Sequence, residues 1–100
     1  MDNLISELES WYHLQCNGEW EHDFGIMIET IDNPGWHLKI DLKNTFLEQA
    51  IFEEYQESYE DDSEWLICKK TEGQFDAAGG PKKLEDMIKV FINWAKSVDK

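Results

Sequence analysis

The chain has 100 residues, a length that fits one domain and leaves no room for two hydrophobic cores. Its 22 acidic residues outnumber 9 basic residues, all of them lysine, and the net charge is −13. Arginine is the usual bidentate ligand of phosphates and bases, so its absence argues against nucleic-acid binding. An anionic membrane surface would also repel the chain. The hydrophobic fraction of 41% is enough to bury a core, which excludes general disorder.

The start of the chain and its cysteine content favour a cytoplasmic protein. Residues 1–4 lack the basic start and the apolar run of a signal peptide, and the apolar stretches are too short to cross a membrane. Cys16 and Cys68 are too few for a disulfide scaffold, so both are expected to be free thiols. We expect a single domain over residues 1–100 that is a monomer or a weak dimer.

Helices are predicted at both ends of the chain. Apolar residues at helical spacing predict a first helix over residues 3–15, with Asn3 as its N-cap. The segment Glu19–Gly25 that follows is expected to be extended. A clean apolar stripe predicts a C-terminal helix over residues 81–98, with Pro81 at its first position.

A hairpin is the clearest pattern in the middle of the chain. Residues 26–31 are rich in β-branched side chains, and residues 36–42 alternate between apolar and polar. The alternating residues expected to face the core are Trp36, Leu38, Ile40 and Leu42. Between the strands, Pro34 and Gly35 predict a type II turn in which Gly35 has a positive φ.

The remaining segments complete an antiparallel sheet. Residues 46–57 fit either a helix or a strand, and the strands on both sides favour a long strand. Residues 60–63 are expected to form a loop, residues 65–70 a strand, and residues 74–80 a connecting loop. The predicted fold class is therefore α+β: an N-terminal helix, a four- to five-stranded antiparallel meander sheet and a C-terminal helix, with the helices packed on one face.

Acidic residues are concentrated in the first two thirds of the chain. Residues 1–64 carry 17 acidic residues and 2 lysines, whereas residues 65–100 carry 5 acidic residues and 7 lysines. The densest run, residues 53–64, has no lysine. It is either a solubilising surface or a docking surface for a basic partner, and the self-repulsion of so many like charges favours docking. The residues predicted to bind a partner are Glu21, Asp23, Glu53, Tyr55, Glu57, Tyr59, Glu60, Asp61, Asp62 and Glu64.

Metal sites have thin support in the sequence. Residues 61–64 are rich in oxygen ligands but lack the spacing of an EF-hand, which leaves only a weak calcium site as an alternative. His13, Cys16, His22 and Cys68 could supply nitrogen and sulfur ligands for zinc, but no C-x-x-C pair frames them. We therefore expect no metal and no cofactor.

Catalysis is the alternative class of function. A carboxylate beside an imidazole at Glu21, His22 and Asp23 could serve a small metal-binding or hydrolytic enzyme. On an extended segment, however, Glu21 and His22 would point to opposite faces. The chain also has no nucleophile motif, phosphate loop or HExxH motif. We therefore expect a protein that is not an enzyme.

Several motifs taken together resemble one protein family. The most specific are Trp20-Glu21-His22 and, ten residues on, Asp32-Asn33-Pro34-Gly35-Trp36. Gly79-Gly80-Pro81 before an amphipathic helix adds to the pattern, as do Trp65 and the aromatic pair Trp11-Tyr12. Over nearly its whole length the chain resembles the immunity protein 53 family, which comprises immunity proteins of bacterial polymorphic toxin systems.

The resemblance implies a small cytoplasmic protein that binds and neutralises a cognate toxin. Many such toxins are nucleases with basic clefts, which an acidic inhibitor would complement. The motif positions expected to have structural roles are Trp20, His22, Asp32, Asn33, Pro34, Gly35, Trp36, Trp65, Gly79, Gly80 and Pro81. For Glu21, a structural role and a contact with the toxin both stay open.

Overall fold

The computed structural model describes residues 3–32, 34–57 and 64–98. Its elements, in chain order, are α1 (Leu4–Gln15), α2 (Trp20–Asp23), β1 (Ile26–Ile31), β2 (Gly35–Asp41), β3 (Tyr55–Glu57), β4 (Leu66–Thr71), β5 (Gln74–Gly79) and α3 (Leu84–Val98). Five residues that carry predictions, and the predicted loop over residues 60–63, lie outside the described residues; the five are Asn33, Tyr59, Glu60, Asp61 and Asp62.

The strands form one five-stranded sheet in the order β1-β2-β5-β4-β3, and every neighbouring pair is antiparallel. The predicted α+β class is confirmed, with its N-terminal helix, antiparallel sheet and C-terminal helix. The order departs from a simple meander because β5 inserts between β2 and β4. As a result, β1 and β3 lie at opposite edges of the sheet.

Both long helices pack on one face of the sheet. Phe75 of β5 lies at the centre of the core, with its ring 5.2 Å from that of Phe91 in α3. Trp11 of α1 meets the same Phe91 ring edge-on at 5.0 Å, which ties the N-terminal helix to the C-terminal one. Aromatic pairs in this geometry add about 0.5–1.5 kcal/mol each beyond the area they bury. The helices thus cover one face and leave the other face of the sheet uncovered within the described part of the chain.

The first helix and the hairpin agree closely with the predictions. Asn3 caps α1, since its Oδ1 accepts a hydrogen bond from the Ser6 N–H at 3.0 Å. Leu38, Ile40 and Leu42 are fully buried. Trp36 is only half-buried, because it lies at the end of the sheet, where its indole Nε1 donates to the Pro81 carbonyl at 2.9 Å.

The segment predicted to be extended, Glu19–Gly25, instead contains the short helix α2. Side chains drive this local fold. Asn17 Oδ1 accepts hydrogen bonds from the Glu19 and Trp20 N–H groups, while the Glu21 carboxylate accepts from the Asn17 and Gly18 N–H groups. This reciprocal arrangement satisfies donors that a helix start leaves unpaired.

The long strand predicted over residues 46–57 is wrong except for its last three residues, which form β3. Consecutive turns occupy the first part. Thr45 Oγ1 donates to the Leu42 carbonyl and accepts from the Leu47 N–H, and Leu47 is fully buried. Lys70 Nζ donates to the carbonyls of Glu48 and Ala50, so those oxygens are satisfied without a strand partner.

The loop predicted over residues 74–80 is also wrong, because residues 74–79 form the central strand β5. Glu72 and Gly73 both have positive φ, 45° and 81°, the requirement of a two-residue type I′ hairpin turn between β4 and β5. Small residues at the end of β5 resemble a loop in sequence, but they are required by packing. A Cβ on Gly79 would lie 2.9 Å from Met87 Cε of α3.

Two boundaries in the family motifs also differ from prediction. Gly35 does not have the positive φ that a type II turn requires, since it is the first residue of β2 and pairs with Ile31. Helix α3 begins at Leu84 rather than at Pro81, which lies in a turn closed by the Lys83 N–H and the Gly80 carbonyl.

Among the described residues, no helix is long and apolar enough to cross a membrane.

Candidate partner-binding surface

The acidic edge, which we define as Glu53, Glu54, Tyr55, Glu57 and Glu64, lies along the β3 side of the sheet. Glu53 and Glu54 are exposed and precede β3 directly. Tyr55 is 41% exposed, and its hydroxyl donates a hydrogen bond to the Glu57 carboxylate. An aromatic ring among exposed carboxylates is the composition that protein interfaces favour in their energetic centres.

Lys83 holds this edge in place. Its ammonium lies 3.6 Å from the Glu57 carboxylate, 3.4 Å from that of Glu64 and 3.5 Å from that of Asp86. Burial acts to lower the pKa of Lys83, but the hydrogen bond and charge of Glu64, with the charges of Glu57 and Asp86, outweigh it and raise the pKa. The two chain segments that flank residues 58–63 are therefore bound to one ammonium group.

The backbone leading into the acidic edge is anchored to the core. Trp94 of α3 donates its indole N–H to the Ile51 carbonyl at 3.0 Å. Phe52 packs edge-on against Trp94 and Phe75, with ring centroids 5.0 and 5.4 Å away. Glu53 and Glu54 therefore follow a fixed segment rather than a free loop, which lowers the conformational entropy that a partner would have to remove on binding.

The second group of predicted contact residues lies at the other edge of the sheet. Asp23 is exposed and lines an open cavity of about 300 Å³ together with His22, Lys39, Asp41 and residues at the start of β1. Four strand spacings of about 4.8 Å separate the two edges, a distance of about 19 Å. The described members of the predicted contact set therefore lie on two separate surfaces, the acidic edge and the α2 corner formed by Glu21 and Asp23.

Glu21 has a structural task at the α2 corner. Its carboxylate accepts the Asn17 and Gly18 N–H groups, each at 2.9 Å. Hydrogen bonding from its own backbone N–H, and then from Asn17 and Gly18, lowers the pKa of Glu21. Because residues 20–23 form a helix, the expectation that Glu21 and His22 point to opposite faces of a strand does not apply. Both carboxylate oxygens of Glu21 nevertheless accept capping hydrogen bonds from the backbone.

The family motifs meet at one end of the sheet although they lie far apart in sequence. Trp36 donates to the Pro81 carbonyl, and the Gly80 N–H donates to the Trp65 carbonyl at 3.0 Å. Gly35 packs directly against Gly79 in the neighbouring strand. Away from this cluster, Trp20 is buried and donates its indole N–H to the Lys43 carbonyl at 2.8 Å, while His22, Asp32 and Pro34 are exposed.

The predicted zinc ligands are not brought together. Within residues 3–32, 34–57 and 64–98, no group of three or more His, Cys, Asp or Glu side chains is placed to hold a metal ion. Cys68 is buried in the core, and Cys16, whose Sγ donates to the Tyr12 carbonyl, is partly exposed at the end of α1. Of the weak calcium site considered at residues 61–64, only Glu64 is described, and it contacts Lys83.

Sequence reasoning missed two features of the structure. Lys83 was not recognised as the centre of the acidic edge; only its spacing to Asp86 is visible in the sequence, because Glu57 and Glu64 reach it through the tertiary fold. The other is the apolar groove between α1 and β1, lined by Ile5, Tyr12 and Ile28 among others, which depends on how a helix lies against a sheet edge.

The structure is an α+β fold with exposed carboxylates along one edge of its sheet. Comparison with family models identifies the particular group: the model of immunity protein 53 matches residues 5–96, nearly the whole chain. The chain therefore belongs to the immunity protein 53 family. No curated protein and no solved structure matches the chain significantly.

Proposed function

We propose that this protein neutralises a cognate bacterial toxin by binding it stoichiometrically in the cytoplasm, without catalysis. Membership of the immunity protein 53 family supports the neutralising role. The observation that carries the binding mode is the acidic edge. There, exposed Glu53 and Glu54 stand beside carboxylates that Lys83 holds in a defined arrangement.

The expected partner surface is basic. With a net charge of −13, the protein attracts a positively charged toxin over distances near the Debye length, and complementary fields raise the association rate more than they slow dissociation. A nuclease domain, whose cleft must bind polyanionic nucleic acid, has such a surface, and we propose this class of toxin. Tyr55 would supply apolar contact area within the charged rim.

The acidic edge suits this role better than the α2 corner. At the α2 corner, the Glu21 carboxylate is engaged by backbone N–H groups, and Lys39 lies among the residues that line the neighbouring cavity. At the acidic edge, Glu53 and Glu54 are exposed and follow a backbone that Trp94 anchors. Preorganised charge of this kind costs less ordering entropy on binding.

A pair of charge-reversal variants tests the location. One variant carries Glu53→Lys and Glu54→Lys, and the matched control carries Glu19→Lys and Asp23→Lys beside α2, so both change the net charge equally. Association rates with the cognate toxin domain are measured at about 0.01 and about 0.15 M salt, where the Debye length falls from about 30 to about 8 Å.

We expect the Glu53/Glu54 variant to associate about tenfold more slowly than the control at low salt, with a flatter salt dependence, because rim charges act mainly on the association rate. Circular dichroism of both variants establishes that they are folded. Equal rates for the two variants would reduce the acidic edge to a solubilising surface. A larger loss in the control would move the contact to the α2 corner.

A further inference from the structure

The strand β1 leaves one side of its backbone unpaired. Among the described residues it is hydrogen-bonded to β2 alone, in a continuous register of six residue pairs from Ile26↔Ile40 to Ile31↔Gly35. The opposite side of the strand therefore presents N–H and C=O groups in the spacing that a further strand requires. An edge of this kind is a template for pairing with another chain.

Natural edge strands usually carry devices that prevent pairing, and β1 carries few of them along its length. It has no proline and no lysine, its register has no bulge, and its single charged residue is Glu29. Met27 and Ile28 are 52% and 42% exposed. The other edge strand, β3, has only three residues and is flanked by the carboxylates of the acidic edge. The protein thus protects one edge of its sheet by charge and leaves the other open.

An apolar groove runs beside the open edge. Helix α1 presents Ile5, Leu8 and Tyr12 at helical spacing, and these side chains face Ile26 and Ile28 of β1 across a cavity of about 430 Å³. Ile5 is 55% exposed and Tyr12 is 37% exposed. A strand added to β1 would place every second side chain in this groove, because successive side chains of a strand alternate between the two faces.

We propose that β1 and this groove, the open edge, bind an extended segment of a basic partner chain by strand addition. Inward-facing residues of the segment would be apolar, to fill the groove beside Ile28. Outward-facing residues would be lysine or arginine, opposite Glu29, whose carboxylate is half exposed. This proposal rests on the proposed function, in that the toxin is the chain that supplies the segment; strand addition is a common mode of peptide recognition.

Charge decides against a second copy of this protein as the occupant. Two chains of net charge −13 repel each other, and the groove itself carries the Glu9 carboxylate among its lining residues. Pairing two copies of β1 about Glu29 would also place like charges directly opposite each other, which is destabilising across a strand pair. A basic strand gains attraction from the same groups.

The test uses two probes on the full chain. One is the cognate toxin domain, and the other is a synthetic ten-residue peptide of alternating valine and lysine, with a valine–glutamate peptide as its control. Hydrogen exchange followed by mass spectrometry reports protection of β1. Affinities are measured for the parent, for Ile28→Lys, and for Leu14→Lys, which makes the same change at an exposed apolar position of α1 away from the groove.

We expect both the toxin and the valine–lysine peptide to slow exchange in β1. Ile28→Lys should weaken both affinities by at least about tenfold, as removal of an interface hot spot does, whereas Leu14→Lys should bind like the parent. If Ile28→Lys proves unstable by circular dichroism, Ile5→Lys serves in its place, because the Ile5 side chain lines the same groove and is 55% exposed.

Three results would overturn the proposal. The first is that the toxin binds but hydrogen exchange in β1 does not change. The second is that Ile28→Lys binds with the affinity of the parent. The third is that β1 already exchanges slowly in the free protein and the protein has the mass of a dimer, which would assign the open edge to a second copy. If the parent does not bind the toxin at all, the proposed function fails. In that case the peptides alone test whether the open edge binds a strand. Strand addition is refuted if the valine–lysine peptide does not protect β1 from exchange, or if the valine–glutamate peptide protects it equally.

Discussion

A Cβ atom on Gly35 would lie 2.2 Å from the carbonyl oxygen of Gly79 in the neighbouring strand. Real Cβ atoms do not approach a backbone oxygen this closely, so the pairing of β2 with β5 at this point depends on glycine at position 35. The constraint is steric. Glycine is needed at position 35 because of this close contact and not because of the positive φ that a type II turn would require. The contact joins two segments that carry family motifs.

Gly35→Ala should therefore destabilise the protein by about 1–3 kcal/mol, the usual cost of overpacking, and Gly35→Val by more. Gly25→Ala is the matched control, because a Cβ there meets no atom within 4 Å. Urea unfolding of the three proteins measures the difference. Equal midpoints for Gly35→Ala and Gly25→Ala would show that the two strands can move apart at no cost.

Removing the charge of Glu21 should lower stability in a pH-dependent way. Hydrogen bonds from its own backbone, Asn17 and Gly18 depress the pKa of Glu21 in the folded state. A depressed carboxyl pKa adds stability that is complete above the unfolded value, near 4.5, and is lost as pH falls through the folded value. Glu21→Gln should thus unfold at lower urea than the parent at pH 7, and the gap should narrow in acid. A gap that is constant with pH, or one equally large for Asp23→Asn, would contradict this role.

The two cysteines should differ sharply in reactivity. Burial raises the pKa of Cys68 to about 12, and its side chain is fully buried, whereas Cys16 is partly exposed. Because the thiolate is the reactive form, a thiol reagent at pH 8 should modify Cys16 rapidly and Cys68 only on unfolding. Folding keeps Cys68 protonated, so stability should also fall as pH rises above about 9. Fast modification of two thiols in the native protein would contradict the buried position of Cys68.

Trp36 should contribute less to stability than a fully buried aromatic residue. It is half-buried, and its indole N–H donates to the Pro81 carbonyl. Trp36→Phe should cost about 1 kcal/mol, the net value of one hydrogen bond. Trp36→Ala should cost less than Phe75→Ala, for which about 3–5 kcal/mol is expected at a fully buried site. If unfolding curves showed that Trp36→Ala costs more stability than Phe75→Ala, Trp36 would have to be counted as a core residue.

The parts of the fold that could be predicted depend on local pattern. The Asn3 cap, the two long helices and the alternation through Leu38 and Ile40 are each visible within one segment, and the structure has them. Strand β5 was missed because Ala77 and Gly79 are small for packing against α3, a contact that sequence does not show. The helix α2 was missed although Asn17 and Glu21 offered a capping signal.

The candidate surface was predictable in composition but not in arrangement. The acidic run is visible in the sequence. Its separation in space from the α2 corner is not, because it results from the strand order, in which β5 lies between β2 and β4. Lys83 and the groove beside Ile28 join residues from distant segments. The spacings visible in the sequence, Lys83 to Asp86 and the helical spacing of Ile5, Leu8 and Tyr12, do not reveal these contacts, because the other partners are brought in by tertiary packing.

The most direct test of neutralisation by binding is a titration of the cognate toxin domain with the purified protein, in which the toxin's own activity is measured. A stoichiometric inhibitor that binds tightly should reduce the activity in a straight line to zero at one equivalent, and the mixture should elute as a complex with one copy of each chain. Full activity at excess protein would contradict neutralisation. Complete inactivation by a small fraction of one equivalent would show that the protein acts on the toxin as an enzyme rather than by binding it.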